Sequence, residues 1–443
     1  MKNKSEGIQI ITGIESEALR IENNGALSTT PHPFDSNDTH FTKDFSESQL
    51  EIITDPNPDI TGTVSQVMKL YNDAHSFLGS ESLWPFSMPP ELPADSEIPI
   101  AQFDNTEKGR WEHMYRTGLA NRYGKKKQMI SGVHLNISFS EKSINELYKT
   151  SNLQFREFVN GLYLNGARHL YEAMPMLIFL SGATPVADKS FPLSETLTES
   201  IISIRTSRSG YTDFLPKSMI DLSSVRSYIE TLKEGLSRTH PYFRQLRLVN
   251  KGEIVQISDK IFQSEKEYYA PIRLRARKDS SMTEIQALEK YGIRYLELRF
   301  IDKDPYYDAG VNPDILRLAH LLLLQSLYIK ADKNTARHIH KASQISELPL
   351  SDIISNTRFT EKQIFIFENA LYSLLPVARN MKDTAYENTV RKYINFLHNP
   401  LQLPSVRLYQ QFSESGLSWT DFGMEFSRNQ RPERLKMEAA YAV

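Results

Sequence analysis

Two glutamates near the start of the chain are spaced to act together on a cation. If the stretch 13–21 is a β-strand, Glu15 and Glu17 lie on one face, because strand side chains alternate between two faces. Carboxylates that point the same way repel each other and lose hydration, so a cation or a proton must offset the cost. We therefore expect a hard divalent metal ion here. The alternative at this point is an exposed edge strand whose glutamates face water.

Further groups of the same chemical kind follow along the chain. Asp44 and Glu51 fall in an acidic run that ends where Pro56 and Pro58 break the element. His134 lies in an alternating, strand-like stretch from Gln128 to Ser138. A single strand histidine is more often a hydrogen-bonded structural residue than a ligand. The glutamates elsewhere favour the ligand interpretation.

A later strand-like stretch, 292–300, combines a carboxylate with a guanidinium. Its alternation places Glu297 and Arg299 on one face and the apolar residues Leu296, Leu298 and Phe300 on the other. This pattern is typical either of a buried ion pair or of half of a metal and phosphate site. The sequence leaves both interpretations open.

Arginines supply the candidate anion contacts. Arg205 and Tyr211 lie in a serine-rich, loop-like stretch, and arginine suits bidentate recognition of a carboxylate. Arg273, Arg275 and Arg277 alternate and share a strand face. Such a row favours phosphate binding, although a solvated sheet edge would show the same pattern.

Composition limits the class of protein. The 443 residues include 52 Lys and Arg against 54 Asp and Glu, so no global basic field favours nucleic acid or a membrane surface. Cysteine is absent, so any metal must be held by oxygen and imidazole. The apolar run 315–329 contains Arg317 and His320 and predicts a buried helix, and the first residues do not form a signal peptide. We therefore predict a cytoplasmic protein without nucleic-acid or membrane partners.

Periodicity supplies the elements that must position these residues. Apolar residues at helical spacing predict helices over 64–78, 155–180 and 222–236. From about Pro313 the pattern is mainly helical to the end of the sequence. Linkers and internal repeats are not evident, so we expect one catalytic domain spanning 1–443.

Taken together, these stretches resemble the bacterial type of glutamate-cysteine ligase, including the ligase half of bifunctional glutathione synthases. The residues that carry the resemblance are Gly13–Ile21, Asp44–Thr54, Leu83–Pro90, Tyr115–Ser138, Ser203–Tyr211, Tyr269–Arg275 and Gly292–Pro305. The resemblance implies an α+β fold related to that of glutamine synthetase, in which an antiparallel sheet curves around the active site with helices outside. It also implies ATP-dependent joining of the γ-carboxyl of glutamate to the amine of cysteine through a γ-glutamyl phosphate, the first step of glutathione synthesis.

The same resemblance implies roles for individual residues. The implied ligands of Mg²⁺, with Mn²⁺ as an alternative, are Glu15, Glu17, Asp44, Glu51, His134 and Glu297. The implied wall of the amine pocket is Phe45, Tyr115, Tyr211 and Tyr269, with Arg205 holding an amino-acid carboxylate. The implied ATP contacts are Gln128, Arg273 and Arg275. Arg299 is implied to act in catalysis together with Glu297 and Arg205, by steadying the charge of the acyl phosphate.

Two departures from the family pattern leave the amine substrate open. Related ligases commonly have an arginine and a hydroxyl residue where this chain has Ser16 and Ala18. The usual Asp-x-Asn-Pro-Phe-Ser-Pro is replaced at 302–308 by Asp-Lys-Asp-Pro-Tyr-Tyr-Asp. The alternatives are therefore a γ-glutamyl ligase that uses a different small amine, and an inactive homologue that binds a partner.

Overall fold

A mixed array of short strands and longer helices surrounds the predicted site residues. The structure is a computed structural model that describes residues 7–35, 38–211 and 220–428. The strands are β1 Ile10–Ile21, β2 Phe41–Thr42, β3 Gln49–Ile53, β4 Ser82–Leu83, β5 Val133–Phe139, β6 Val249–Asn250, β7 Glu253–Ile254, β8 Ile272–Arg275 and β9 Tyr295–Ile301. Seven of these form one antiparallel sheet in the order β2-β3-β1-β5-β9-β8, in which β4 also pairs with β1.

Helices pack outside this sheet. They are α1 Ile60–Phe77, α2 Glu107–Tyr123, α3 Glu141–Tyr148, α4 Phe155–Ser181, α5 Val225–Ser237, α6 Pro241–Leu246, α7 Glu284–Tyr291, α8 Pro313–Gln325, α9 Thr335–Ser346, α10 Leu350–Ile354, α11 Arg358–Arg379, α12 Thr384–His398 and α13 Pro404–Ser415. The helices α1 and α4 contact the sheet directly, and α8 packs between them and α12. None of the described helices is both long and apolar enough to cross a membrane.

The predicted elements are confirmed with small shifts at their ends. The stripe over 64–78 belongs to α1, whose first turn is capped by the Asp59 side chain. The stretches 155–180 and 222–236 correspond to α4 and α5, and helices dominate after Pro313. The expectation of a single domain stays a prediction.

Sheet register collects the polar residues on one face. Glu15 lies opposite His134 on β5, and Glu17 lies opposite Glu51 on β3. Alternation places the apolar residues of the same strands on the other face, where Ile14, Ala18, Leu135, Leu296 and Leu298 are buried in the core beneath the helices. One face of the sheet is therefore apolar and covered by helices, and the other carries the polar side chains of the candidate site.

Residues of the two segments that depart from the family pattern, 16–18 and 302–308, lie close to each other at β1. The Ser16 hydroxyl, on the apolar face, donates to the carbonyl of Ala309 at 2.6 Å. The buried Lys303 ammonium donates to the Glu17 carbonyl at 2.7 Å. The loop 302–312 is therefore fastened to the strand that carries Glu15 and Glu17.

The strand β8 forms one edge of the sheet, and side chains occupy its outward amides. The Ile272 and Leu274 amides donate to the hydroxyls of Tyr171 and Tyr228, each at 3.3 Å. Just beyond the strand, the Ala276 amide donates to the Glu284 carboxylate at 2.7 Å. These hydrogen bonds satisfy backbone groups that a further strand would otherwise use.

One histidine connects the first strand to the C-terminal helices. His320 on α8 is 2% exposed and hydrogen bonds through Nε2 to the Thr12 hydroxyl at 2.6 Å. Its Nδ1 lies 2.9 Å from the Tyr386 hydroxyl on α12. The run 315–329 thus contributes a buried helix, as its polar interruptions predict.

Candidate active site

A cavity of about 350 Å³ opens on the polar face of the sheet. Every site residue predicted from the sequence lines it: Glu15, Glu17, Asp44, Phe45, Glu51, Tyr115, Gln128, His134, Arg205, Tyr211, Tyr269, Arg273, Arg275, Glu297 and Arg299. Arg277 does not continue the arginine row, because β8 ends at Arg275 and Arg277 is exposed beyond it. The expectation that the three arginines share a face with one role is therefore wrong for Arg277.

His134 lies at the centre of the acidic groups. Its Nδ1 is 3.2 Å from Glu15 Oε2, and its Nε2 is 3.5 Å from Glu17 Oε1. Two sets of potential ligand atoms result, each within 4.8 Å of one another: Glu15, His134 and Glu297, and Glu17, Glu51 and His134. Asp44 lines the cavity but belongs to neither set.

The Glu17 side chain is fixed by the neighbouring strand. Its Oε2 accepts a hydrogen bond from the Gly132 amide at 2.7 Å, while the Glu17 amide donates to the Gly132 carbonyl at 3.0 Å. The close approach of Arg205, whose guanidinium would collide with any Cβ at position 132, explains why glycine stands there. The carboxylate is held in place before any ligand arrives.

The buried carboxylates of the site are only partly neutralised by nearby positive groups. Burial, with the nearby charges of Glu15, Asp44 and Glu17, raises the pKa of Glu51 well above its usual range. Burial likewise raises the pKa of Glu17, although His134 opposes it. Burial would also raise the pKa of Glu15, but the hydrogen bond from His134 lowers it overall. A cation placed among these carboxylates would relieve both the burial and the repulsion.

The surroundings of Glu297 are compatible with both interpretations that the sequence left open, a buried ion pair and part of a metal site. Its carboxylate forms an ion pair with Arg299, and its Oε2 lies 3.4 Å from Arg275 Nε without receiving a hydrogen bond. Burial alone would raise the pKa of Glu297, but the charges of Arg299 and Arg275 hold it well below its usual range. The residue is a buried ion-pair partner that also faces Glu15 and His134.

The donor set fits a hard divalent metal ion. It consists of carboxylate oxygens and one imidazole, the ligands that Mg²⁺ and Mn²⁺ accept. Two observations point the same way: a buried oxygen on Glu297 that receives no hydrogen bond, and the raised pKa values of Glu17 and Glu51. Thiolate ligands are absent from the whole sequence.

Arg205 is more constrained than its loop position predicts. It is 4% exposed, and its Nη2 donates to the Arg299 carbonyl at 2.7 Å. Its Nη1 lies 3.7 Å from Asp302 Oδ1 and has no hydrogen-bond partner among the described residues. The guanidinium reaches the cavity and is anchored to β9 by the hydrogen bond to the Arg299 carbonyl.

The four aromatic residues predicted for the amine pocket all line the cavity. The Tyr211 and Tyr269 rings meet edge to face with centroids 4.8 Å apart. Tyr115 on α2 stacks on Trp111 with centroids 5.4 Å apart. Phe45 is fully buried at the cavity wall. Burial raises the pKa of Tyr115 and keeps its hydroxyl protonated.

Sequence reasoning missed several residues of the wall. These are Arg116, Leu119, Lys127, Ile130, Lys266 and Glu267. Glu267 forms a buried ion pair with Arg122 at 2.8 Å, and Lys266 and Arg116 both pair with Glu112. The only available signal was the run of lysines at 125–127, which reads as a solvated surface.

Comparison with known proteins decides the family. Residues 2–347 match the sequence profile of the family described as glutamate-cysteine ligase. This chain belongs to the glutamate-cysteine ligase family. The glutamate-cysteine ligase of Clostridium acetobutylicum is 30% identical, and the alignment covers 94% of each chain. Those of Pseudomonas aeruginosa are 34% identical over 71% of this chain and 63% of their own length.

Solved structures show the same relationship in three dimensions. The glutamate-cysteine ligase of Francisella tularensis, solved in complex with AMP, has a TM-score of 0.82 at 25% identity and covers 96% of this chain and 88% of its own. A bifunctional glutathione synthetase from Pasteurella multocida has a TM-score of 0.78 at 24% identity, covering 97% of this chain and 52% of its own. The second match shows a shared fold. The predicted family and the predicted α+β fold with its antiparallel sheet are confirmed.

Proposed function

We propose that this protein is an ATP-dependent ligase that joins the γ-carboxyl of glutamate to the amine of cysteine. The single observation that carries the proposal is the arrangement around His134, where paired carboxylates and a row of arginines line one cavity. Negative groups for a metal and positive groups for phosphates thus occupy the same wall. Family membership supports the choice of glutamate and cysteine as the substrates joined.

To activate a carboxylate with ATP, the protein must mainly position the substrates and neutralise the charge of the phosphates. We propose that the metal ligands are Glu15, Glu17, Asp44, Glu51, His134 and Glu297. A bound Mg²⁺, or Mn²⁺, supplies charge neutralisation for the triphosphate. Asp44 is the weakest member of this set, because it lies outside both groups of closely spaced ligand atoms.

The arginines act on the phosphoryl group in this proposal. Arg273 and Arg275 on the edge strand bind the ATP phosphates, and Arg299 steadies the group in transfer. The γ-carboxylate of glutamate attacks the terminal phosphorus, ADP leaves, and an acyl phosphate forms. The amine then attacks the acyl carbon, and inorganic phosphate leaves. Arg299 is suited to this role because its partner Glu297 fixes its position on the rigid strand β9.

The aromatic wall orients the amine substrate in this proposal. Phe45, Tyr115, Tyr211 and Tyr269 form a rigid, largely apolar surface against which a small side chain packs. Arg205 completes the site by holding the amino-acid substrates. Exclusion of water by these rings protects the acyl phosphate from hydrolysis.

The test is a product assay on the purified chain. Protein incubated with ATP, Mg²⁺, glutamate and cysteine should release one phosphate for each γ-glutamylcysteine detected by mass spectrometry. A panel of other small amines in the same assay tests the alternative of a different amine substrate. ATP consumption with another amine but not with cysteine would overturn the assignment of cysteine.

Absence of turnover with every amine would favour an inactive homologue, which the convergence of all predicted residues on one cavity argues against. An enzyme that consumes ATP fits the proposed cytoplasmic location.

A further inference from the structure

Three consecutive lysines follow α2, and they have different surroundings. The Lys125 ammonium donates to the Ile98 carbonyl at 2.7 Å, and the Lys126 ammonium donates to the Ser190 carbonyl at 2.9 Å. The Lys127 side chain instead lines the catalytic cavity. Its ammonium forms no hydrogen bond or ion pair with any residue that the structure describes.

The other cations of the cavity are committed to partners. Arg275 and Arg299 pair with Glu297, and Arg205 faces Asp302. Arg116 and Lys266 pair with Glu112, while Arg273 donates to the backbone carbonyls of residues 266 and 268. Within the described parts of the chain, Lys127 is thus the one lysine or arginine of the cavity wall without a protein partner. Partial burial lowers the pKa of Lys127, a cost that an anionic ligand would offset.

A second unused donor stands beside it. Gln128 is 8% exposed, lines the same cavity, and its side-chain Nε2 has no hydrogen-bond partner among the described residues. A buried donor without a partner is costly unless a ligand accepts from it. An ammonium and an amide on consecutive residues together match the two oxygens of a carboxylate.

Neighbouring contacts place this pair on the amine side of the cavity. The Gln128 carbonyl accepts from Gln49 Nε2 at 2.7 Å, and Gln49 Oε1 accepts from the Phe45 amide at 3.1 Å. On the other side, the Tyr123 ring lies against Tyr211 with centroids 5.8 Å apart. The segment 123–128 therefore connects two of the aromatic residues assigned to the amine pocket.

We propose that Lys127, assisted by Gln128, binds the carboxylate of the amino acid that supplies the amine. This inference rests on the proposed function and adds to it the residues that recognise the carboxylate of the amine substrate. Lys127 acts in binding and selectivity, because the phosphates are served by the arginines of β8 and β9. The ammonium selects for a carboxylate by charge and does not fix its orientation as a guanidinium would.

The experiment compares cysteine with cysteamine, which is cysteine without its carboxylate. For Lys127→Met we expect the KM for cysteine to rise about tenfold or more, the scale of a lost charge-assisted hydrogen bond. The KM values for cysteamine, glutamate and ATP should stay unchanged, and Lys127→Arg should restore most of the affinity for cysteine. Lys125→Met and Lys126→Met are matched controls from the same run and should leave all four KM values unchanged.

Each contrary outcome has a distinct meaning. An equal rise in KM for cysteine and cysteamine, or a rise for glutamate or ATP alone, would overturn the assignment to the carboxylate of the amine substrate. If Lys127→Met unfolds at a lower temperature than the wild type, Lys127→Gln, which keeps a polar side chain, replaces it. If the wild type does not use cysteine, the proposed function fails instead. The same comparison is then made between the amino acid that the amine panel identifies and its decarboxylated form.

Discussion

On β9 the Glu297 carboxylate pairs with the Arg299 guanidinium, two residues further along the same strand and on the same face of the sheet. Both side chains are buried or nearly so, and both line the cavity. The pair therefore belongs to the scaffold and to the site at once. A substitution at either position should change stability and activity together.

Glu297→Gln tests this double role. Loss of the charge strands the largely buried Arg299 guanidinium and removes one of the two carboxylate partners of Arg275, so we expect the free energy of unfolding to fall by ~3 kcal/mol or more. Ligation should fall on the order of 10²-fold or more in the fraction that remains folded, the scale for an electrostatic group at a transition state. Denaturant titration and a steady-state assay measure the two effects. The control is Glu289→Gln, which removes an exposed pair with Lys233 and should change neither. An unstable but fully active variant would show that Glu297 is only structural.

Glu51→Gln should act in the opposite direction on the metal-free protein. Its carboxylate lies among like charges, so the neutral amide relieves repulsion and the unfolding temperature without metal should rise. Stabilisation by Mg²⁺ with a nucleotide should shrink, because a ligand is lost. Thermal unfolding with and without Mg²⁺ measures both.

Glu47 is the matched control on the same segment. It pairs with Lys43 at 2.8 Å and accepts from the His32 amide at 2.9 Å, so Glu47→Gln should destabilise the protein with and without metal alike. Equal behaviour of the two variants would remove the metal role of Glu51.

His320 predicts a pH dependence that is independent of the site. Burial, with a smaller effect of Arg317, lowers the pKa of His320 to about 3. Below about pH 6.5 the unfolded chain binds a proton that the folded protein cannot, so the free energy of unfolding falls as pH falls, by up to about 1.4 kcal/mol per pH unit. The free energy of unfolding of the wild type, relative to that of His320→Gln, should therefore fall between about pH 6.5 and the folded pKa of about 3. Denaturant titrations at each pH measure the difference, and the exposed His340→Gln serves as control. A constant difference across this range would show that His320 is not held neutral.

Arg205→Lys should raise the KM for the amino-acid substrates more than the KM for ATP. A lysine cannot both keep the contact with the Arg299 carbonyl and reach the cavity, so the bidentate fork is lost. Stability should also fall, because Asp302 loses its buried partner. Steady-state kinetics and thermal unfolding measure these effects. Arg208→Lys, at an exposed pair with Glu347, should be silent in both. An equal rise in all KM values would indicate a general folding defect.

Most of the candidate site that could be predicted from the sequence followed from the alternation of side chains along the strands. Period two placed Glu15 with Glu17 and Glu297 with Arg299 on shared faces, and the register then brought these faces together. The register itself was beyond reach, because the pairing of Glu17 with Glu51 depends on which strands become neighbours. Lys127 was missed because nothing local distinguishes it from the two lysines before it. Lys125 and Lys126 bind the carbonyls of Ile98 and Ser190, which only the folded chain brings near, and Lys127 alone is left to line the cavity.

The side chains that occupy the outer edge of β8 have a consequence for self-association. An open strand edge can recruit an extended segment of another molecule, the first step towards edge-to-edge aggregation. Here the hydroxyls of Tyr171 and Tyr228 and the carboxylate of Glu284 already occupy the amides that an incoming strand would need. At the other end of the sheet, β2 is two residues long and offers little to pair with. Among the described residues, both edges of this sheet therefore offer little for the strand of another molecule to pair with.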